Sequence, residues 1–228
     1  MQRPDPRITA IIPARDEEAT IAAAVTSARR YAGEVVVVDG QSHDHTVARA
    51  TTALAHVVCD DGLGKGQALR IGAARASGEV LVFMDADGSH DAADIPRLAH
   101  PILRGEADLV VGSRMLGGSD ELHGTFDNFL RNTGSCLLAV LVNRRWDTRL
   151  TDIENGFRAV RRQVMLALAT RERGFMIEQE IVLKCLKAGY RVMEIPSHEY
   201  ERAAGRSKLP TRQGWRFLWH FAKEMTSR

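Results

Sequence analysis

Short apolar runs recur along the first half of the chain, each stopped by a polar or turn-forming residue. Ile8–Ile12 is largely β-branched and ends at Pro13; Val35–Val38 ends at Asp39; Val80–Met84 ends at Asp85. Runs without polar alternation predict strands covered on both faces, as in parallel sheets. Between them lie stretches of helical composition. They are Ala19–Arg30, closed by Gly33, a second helix capped by Ser42–Thr46 and running to about Ala53, and an alanine-rich segment from Gly66 to near Gly78. A weak strand at Val57-Val58, a helix over about Asp94–Arg104 and a strand at Asp108–Val111 continue the βα rhythm. Residues 1–112 are therefore predicted to form a mostly parallel, doubly wound α/β sheet.

The pattern changes after Gly112-Ser113-Arg114. Met115–Gly124 holds three glycines and predicts a mobile loop. Phe126–Val142 reads as a long helix on which Arg131 and Ser135, four apart, share one side. Leu150–Arg158 is turn-rich and carries Asp152 and Glu154; Ile177–Lys187 is an amphipathic helix with Glu178 near its start; Val192–Ile195 is a late strand. Tyr200–Leu209, with Arg202, Arg206 and Lys208, reads as a basic loop able to close on an anion. The C-terminal stretch Trp215–Phe221 mixes aromatic and basic residues in an amphipathic helix that suits either the domain surface or a membrane interface.

Composition narrows the class without naming an activity. The 228 residues are 44% hydrophobic and 26% charged, which is ordinary for one globular domain. A net charge of +2 gives no case for nucleic acid. Arginine and lysine accumulate after residue 114, whereas the acidic motifs lie earlier, a division that suits one site for a metal and another for an anion. Cys59, Cys136 and Cys185 lack metal-ligand spacing and are expected to be reduced core thiols of a cytoplasmic protein. The polar N-terminus shows no signal peptide, and no apolar run approaches the roughly 20 residues that span a bilayer, so at most peripheral contact with the inner membrane face is expected.

The strongest chemical signal is Asp85-Ala86-Asp87. Two carboxylates where a buried strand ends, with Gly88 to turn the backbone, fall where α/β proteins bind ligands. Carboxylate oxygens suit Mg²⁺ or Mn²⁺, which commonly join protein carboxylates to substrate phosphates. A polar turn capping the next helix is the plainer alternative. Gly62-Leu63-Gly64-Lys65-Gly66 enters a helix and can direct N–H groups and a cation at phosphate, although it lacks the Walker A pattern.

Taken in order, Ile11-Ile12-Pro13-Ala14-Arg15-Asp16-Glu17, Val38–Thr46, Gly64-Lys65-Gly66, Met84-Asp85-Ala86-Asp87 and Gly112-Ser113-Arg114 resemble the family 2 glycosyltransferases, most nearly the dolichol- or polyprenyl-phosphate mannosyltransferases. Asn155–Arg158 and Arg202–Lys208 resemble that family's acceptor-side motifs. The likeness spans about residues 8 to 210 and implies a single GT-A (Rossmann-like) domain over 1–228. Its nucleotide-sugar half would be 1–112 and its acceptor half 113–228. It implies that Pro13, Arg15, Glu17, Asp39, Lys65 and Asp85-Ala86-Asp87 line the donor pocket, with Asp85 and Asp87 on a Mg²⁺ or Mn²⁺ ion. Arg114, Arg131, Ser135, Arg202 and Lys208 would grip an acceptor phosphate. Two positions depart from the family pattern. Gly40 stands where many relatives have a second Asp, leaving base recognition open, and Ser89 stands where a metal-binding Gln is frequent, leaving that place to water.

The implied reaction is inverting transfer of a hexose, mannose or glucose, from GDP-mannose or a UDP-sugar to a polyprenyl or dolichyl phosphate. A phosphate acceptor is already anionic and needs no strong base. A hydroxyl acceptor would need one, and Asp152 is the candidate by position, with Glu154 and Glu178 behind it. Two readings of other classes compete: a haloacid-dehalogenase-type phosphatase built on Asp85 as nucleophile, and a non-catalytic nucleotide-sugar binding module.

Overall fold

The computed structural model describes residues 3–120 and 126–203, together with 221, 222 and 225; for 126–134 it describes the backbone alone. Strand β1 (Asp5–Ala14) is an interior strand of a seven-stranded sheet, its apolar residues buried from both sides. It pairs in parallel with β2 (Ala32–Asp39) on one flank and β4 (Val80–Phe83) on the other. Strand β3 (His56–Cys59) extends the β2 flank. Helices α1 (Ile21–Ala28), α2 (Thr46–Thr52) and α3 (Lys65–Arg75) supply the crossovers. Since the chain leaves β1 in one direction and returns to its other side, a crevice opens at the carboxyl ends of β1 and β4.

Beyond β4 the order is β6, β5, β7, so the full sheet runs β3-β2-β1-β4-β6-β5-β7. Helix α4 (Ile95–Leu103) leads to β5 (Leu109–Ser113), followed by the short α5 (Arg114–Gly117) and the long α6 (Phe126–Trp146). Strand β6 (Arg158–Arg161) then inserts between β4 and β5, antiparallel to both. Helices α7 (Arg162–Ala167) and α8 (Ile177–Lys187) and strand β7 (Val192–Pro196), parallel to β5, follow. The later half of the chain is thus woven into the sheet of the earlier half. Only β6 interrupts the parallel pattern among the described strands, in accord with the mostly parallel α/β sheet expected.

Each face of the sheet carries its own core. Ile11, Val36, Leu81, Phe83 and Val160 pack with α3, α6 and α8, whereas Ile8, Ile12, Val37, Val82 and Met84 pack with α1 and α4. Helix α3 presses close at Gly72, where a Cβ would lie 2.5 Å from Ile11 Cγ2. That close packing holds the N-terminus of α3, with Lys65, over the ends of β1 and β4.

Several expectations need correction. Arg158–Arg161 is a central strand rather than the tail of a turn-rich segment. Its Arg-Ala-Val-Arg pattern conceals the strand because Arg158, fully buried, spends its guanidinium on the carbonyls of Ile153, Asn155 and Glu178. The expected loop at 115–124 begins as α5, capped by Ser113 Oγ, and Ser119 bridges to Glu199. Of the three cysteines only Cys185 is a core thiol; Cys59 and Cys136 are exposed. The helix expected at Trp215–Phe221 lies outside the described residues except for Phe221, which is buried in the α6 and α8 core.

Candidate active site

A cavity of about 300 Å³ opens at the carboxyl ends of β1, β2 and β4. It brings together Pro13 from the end of β1, Arg15 and Glu17 from the turn after it, Lys65 from α3, and Asp85, Ala86 and Asp87 from the turn after β4. Register explains the meeting: Ile11 pairs with Phe83, so two positions further along each strand Pro13 and Asp85 emerge side by side. Asp39 ends β2 at the level of Ala14. Its Oδ2 accepts from Ser42 N at 3.1 Å, while its Oδ1, buried, has no hydrogen-bond partner among the described residues. The turns carry strain consistent with a binding rim, with Asp16 and Gln41 at φ of 52° and 61°.

Asp85 and Asp87 are held by different cations. Lys65 Nζ lies 2.7 Å from Asp85 Oδ1 and 2.8 Å from Glu178 Oε1, in a pocket where the lysine side chain is only 12% exposed. Burial works against the ammonium, but Asp85 and Glu178 outweigh it and raise the Lys65 pKa. Burial likewise works against the Asp85 carboxylate, yet Lys65, and after it His90, brings its pKa down to about 2. Gly156 admits this contact: a Cβ there would sit 2.9 Å from Lys65 Nζ and 3.1 Å from Asp85 Oδ2. Asp87 Oδ1 accepts from Ser89 N and Ser89 Oγ at 3.1 and 2.7 Å, and its Oδ2 pairs with Arg202 Nη1 at 2.9 Å. His90 stacks on Phe157 at 4.7 Å and accepts from Asp85 N through Nδ1; burial, opposed by Asp85 and Asp87, lowers its pKa.

These oxygens fit a hard divalent cation. Both carboxylates occupy one turn and are already neutralised by positive groups. Among the described residues no cluster of three or more His, Cys, Asp or Glu side chains forms a complete protein cage. A cation here therefore needs oxygens from a ligand or water as well, the usual manner of Mg²⁺ beside phosphates.

The expected acceptor-side residues are not free. Arg114 forks onto Asp152, with Nε to Oδ2 at 2.6 Å and Nη2 to Oδ1 at 3.1 Å, and its Nη1 lies 3.6 Å from Glu199. Asp152 is 1% exposed and also accepts from the N–H groups of Glu154 and Asn155. Burial opposes its charge, and Arg114 more than offsets this, leaving the carboxyl below its usual range. With these contacts Asp152 orients Arg114 and has little capacity left to take a proton from a substrate. Ser135 donates to Glu154, which also accepts from Gln179, and Glu178 serves Lys65. Arg202 lines the cavity at Asp87 rather than standing with Arg114. The Arg131 side chain and Lys208 lie outside the described residues.

Sequence reading did not assign Asp60 and Phe175 to this cavity, which they also line. Phe175 comes from the segment between α7 and α8, tied to α3 by Gly66 N to Arg173 O at 2.8 Å and Arg70 Nη1 to Glu172 O at 2.6 Å. Gly66 and Gly64 allow that approach, since a Cβ would fall 2.2 Å from Glu172 O at the first and 2.7 Å from Arg173 O at the second. A contact made so far along the chain leaves no local signal beyond the glycines.

The model of glycosyl transferase family 2 matches residues 9–168, more than half of the chain. The chain belongs to glycosyltransferase family 2. This family 2 chain is 30% identical over 207 residues to the glycosyltransferase AglJ of Haloferax volcanii, covering 90% of itself and 66% of that protein. It is 32% identical over 219 residues to the undecaprenyl-phosphate mannosyltransferase of Micrococcus luteus, covering 89% and 87%. In fold it matches glucosyl-3-phosphoglycerate synthase of Mycobacterium tuberculosis, solved with Mn²⁺, UDP and glucosyl-3-phosphoglycerate. The TM-score is 0.72 at 23% identity, over 96% of this chain and 80% of the other. The cavity brings Pro13, Arg15 and Glu17 together with Asp85, whereas the phosphatase reading gave the upstream motifs no role. No helix among the described residues of this family 2 protein is long and apolar enough to cross a membrane.

Proposed function

We propose that this family 2 glycosyltransferase moves a hexose from a nucleoside diphosphate sugar to a polyprenyl phosphate, inverting the anomeric centre. The products are a hexosyl phosphoryl polyprenol and a nucleoside diphosphate. GDP-mannose is the favoured donor. The observation that carries the reading is the cavity itself, where Asp85, Asp87 and Lys65 converge and which Val38 and Gly40 line on either side of Asp39, whose buried Oδ1 has no hydrogen-bond partner among the described residues. A donor laid across it puts base N–H groups toward Asp39 and the diphosphate toward Lys65 and the acidic pair. Mg²⁺ or Mn²⁺ held by Asp87, with Asp85, would neutralise the charge developing on the departing diphosphate. Lys65, positioned by Glu178, adds a fixed cation beside the same oxygens.

An acceptor phosphate oxygen attacks as an anion, so no protein base is needed, in keeping with Asp152 being committed to Arg114. Arg114, planar and oriented, is suited to orient that phosphate. A lipid acceptor accords with α6, where Leu137, Val140 and Leu141 form a stripe 57%, 59% and 41% exposed, followed by the exposed Arg144 and Arg145. An apolar stripe with a basic end suits the surface of an anionic bilayer, here the cytoplasmic face. The name of the Micrococcus relative points the same way.

The test is incubation with Mn²⁺ and labelled GDP-mannose or UDP-glucose in the presence of undecaprenyl phosphate or 3-phosphoglycerate. Label entering the organic phase in step with nucleoside diphosphate release is expected. Label passing only to 3-phosphoglycerate, or release of inorganic phosphate alone, would refute the assignment.

A further inference from the structure

The two carboxylates of the acidic turn differ in how firmly their cations are held. Lys65 is shared by Asp85 and Glu178 at 2.7 and 2.8 Å and is 12% exposed, so its removal would leave the buried Glu178 and the half-buried Asp85 without this shared cation. Arg202 Nη1 lies 2.9 Å from Asp87 Oδ2, and the arginine side chain is 32% exposed, against 6% for the aspartate. A cation that remains partly in water yields to a stronger competitor more readily than one enclosed between two carboxylates. Asp87 nonetheless needs a positive partner, because a nearly buried carboxylate without one is costly.

We propose that Arg202 is the resting occupant of the metal position on Asp87, and that a divalent cation binds there only by displacing it. The inference rests on the metal role given to Asp87 above. The backbone supports such an exchange without large movement. Tyr200 N donates to Ser89 O at 2.8 Å and Ala203 N to Asp87 O at 3.0 Å, so residues 200–203 stay laced to the acidic turn while one side chain swings. Ser89 keeps hold of Asp87 Oδ1 throughout, leaving Oδ2 as the oxygen that changes partner. The released guanidinium remains at the cavity edge as a cation for an incoming acceptor anion. Metal loading and readiness for the acceptor thereby become one event, and a site without metal stays closed by its own arginine.

Binding of Mn²⁺, read from the loss of its free-ion paramagnetic resonance signal, tests this without turnover. Mn²⁺ alone is titrated into wild-type protein and the Arg202→Gln, Arg202→Lys and Asp87→Asn variants, each first shown to keep its wild-type melting profile. Arg202→Gln is expected to bind Mn²⁺ roughly three- to tenfold more tightly than wild type, as removal of a weak competing ion pair allows. Arg202→Lys, which retains a cation, is expected to stay close to wild type, and Asp87→Asn to lose the site. Equal or weaker binding by Arg202→Gln, with the site still lost in Asp87→Asn, would overturn the displacement while leaving the metal on Asp87. Wild-type Mn²⁺ binding by Asp87→Asn would overturn both.

Discussion

The two sides of the cavity treat charge in opposite ways. On the side built from β1, β2 and β4, functional groups sit at the ends of parallel strands, and the backbone fixes where they point. Asp39 keeps one buried oxygen unsatisfied among the described residues, and Pro13, Arg15 and Glu17 line the cavity. On the side built after β5, the described arginines of the site are already employed. Arg114 neutralises Asp152, Arg158 serves three carbonyls, and Arg202 covers Asp87. A strand end can afford an unsatisfied group because the sheet carries the fold; loops stacked beside the sheet stay in place partly through these ion pairs. An arginine in such a loop is therefore first a structural cation, and meets a ligand only by keeping or exchanging its partner.

Changes on the two sides should accordingly fail differently. Asp87→Ala is expected to lower metal-dependent hexose transfer by about 10³-fold or more, while the melting temperature holds, which a coupled nucleotide-release assay with parallel melting curves would show. Asp152→Asn should act chiefly on the fold, because it leaves the Arg114 guanidinium facing an uncharged partner in a buried setting. A loss of about 3–5 kcal/mol in urea unfolding is expected, with a fall in transfer that follows the loss of structure.

Glu180 probes a third kind of charge, one that holds a cavity-lining segment from outside. It is buried, accepts from Arg171 N and Glu172 N, and pairs with Lys184 at 3.0 Å. Burial opposes its charge, but these donors prevail, and its pKa falls below the ordinary 4.5. The stabilisation is therefore full above that pH and is lost as pH falls through the lower folded value. Melting temperatures from pH 6 to 3 should drop less steeply in Glu180→Gln, which should also lose about 1.5–3 kcal/mol at neutral pH. The smallest effect is expected at the exposed stripe of α6. Leu137→Ser combined with Val140→Ser should weaken sedimentation with anionic vesicles by roughly three- to tenfold and leave thermal stability nearly unchanged.

The same division explains what could be read from the sequence. Ile8–Ile12, Val35–Val38 and Val80–Met84 are legible because strands buried on both faces tolerate no polar alternation, and two of the residues that stop them, Pro13 and Asp85, line the cavity. Strand β6 is not legible, since its apolar core is two residues between arginines, one of which is buried only by virtue of carbonyls from elsewhere. The residue types of the site were visible, but their partners were not. Lys65 with Glu178, and Asp87 with Arg202, lie more than a hundred positions apart and meet only through the packing of α8 and of the segment after β7. Fork-like pairing of Arg114 with Asp152 likewise turns two separate expectations, an anion grip and a base, into one unit.

The acidic turn after β4 can be tested most directly by calorimetric titration of GDP-mannose and UDP-glucose, with and without Mn²⁺, into wild-type and Asp87→Ala protein. One of the two sugars is expected to bind the wild type only when Mn²⁺ is present, and Asp87→Ala is expected to abolish that binding in folded protein. Binding that ignores both Mn²⁺ and the substitution would contradict a metal-bearing donor site at Asp87.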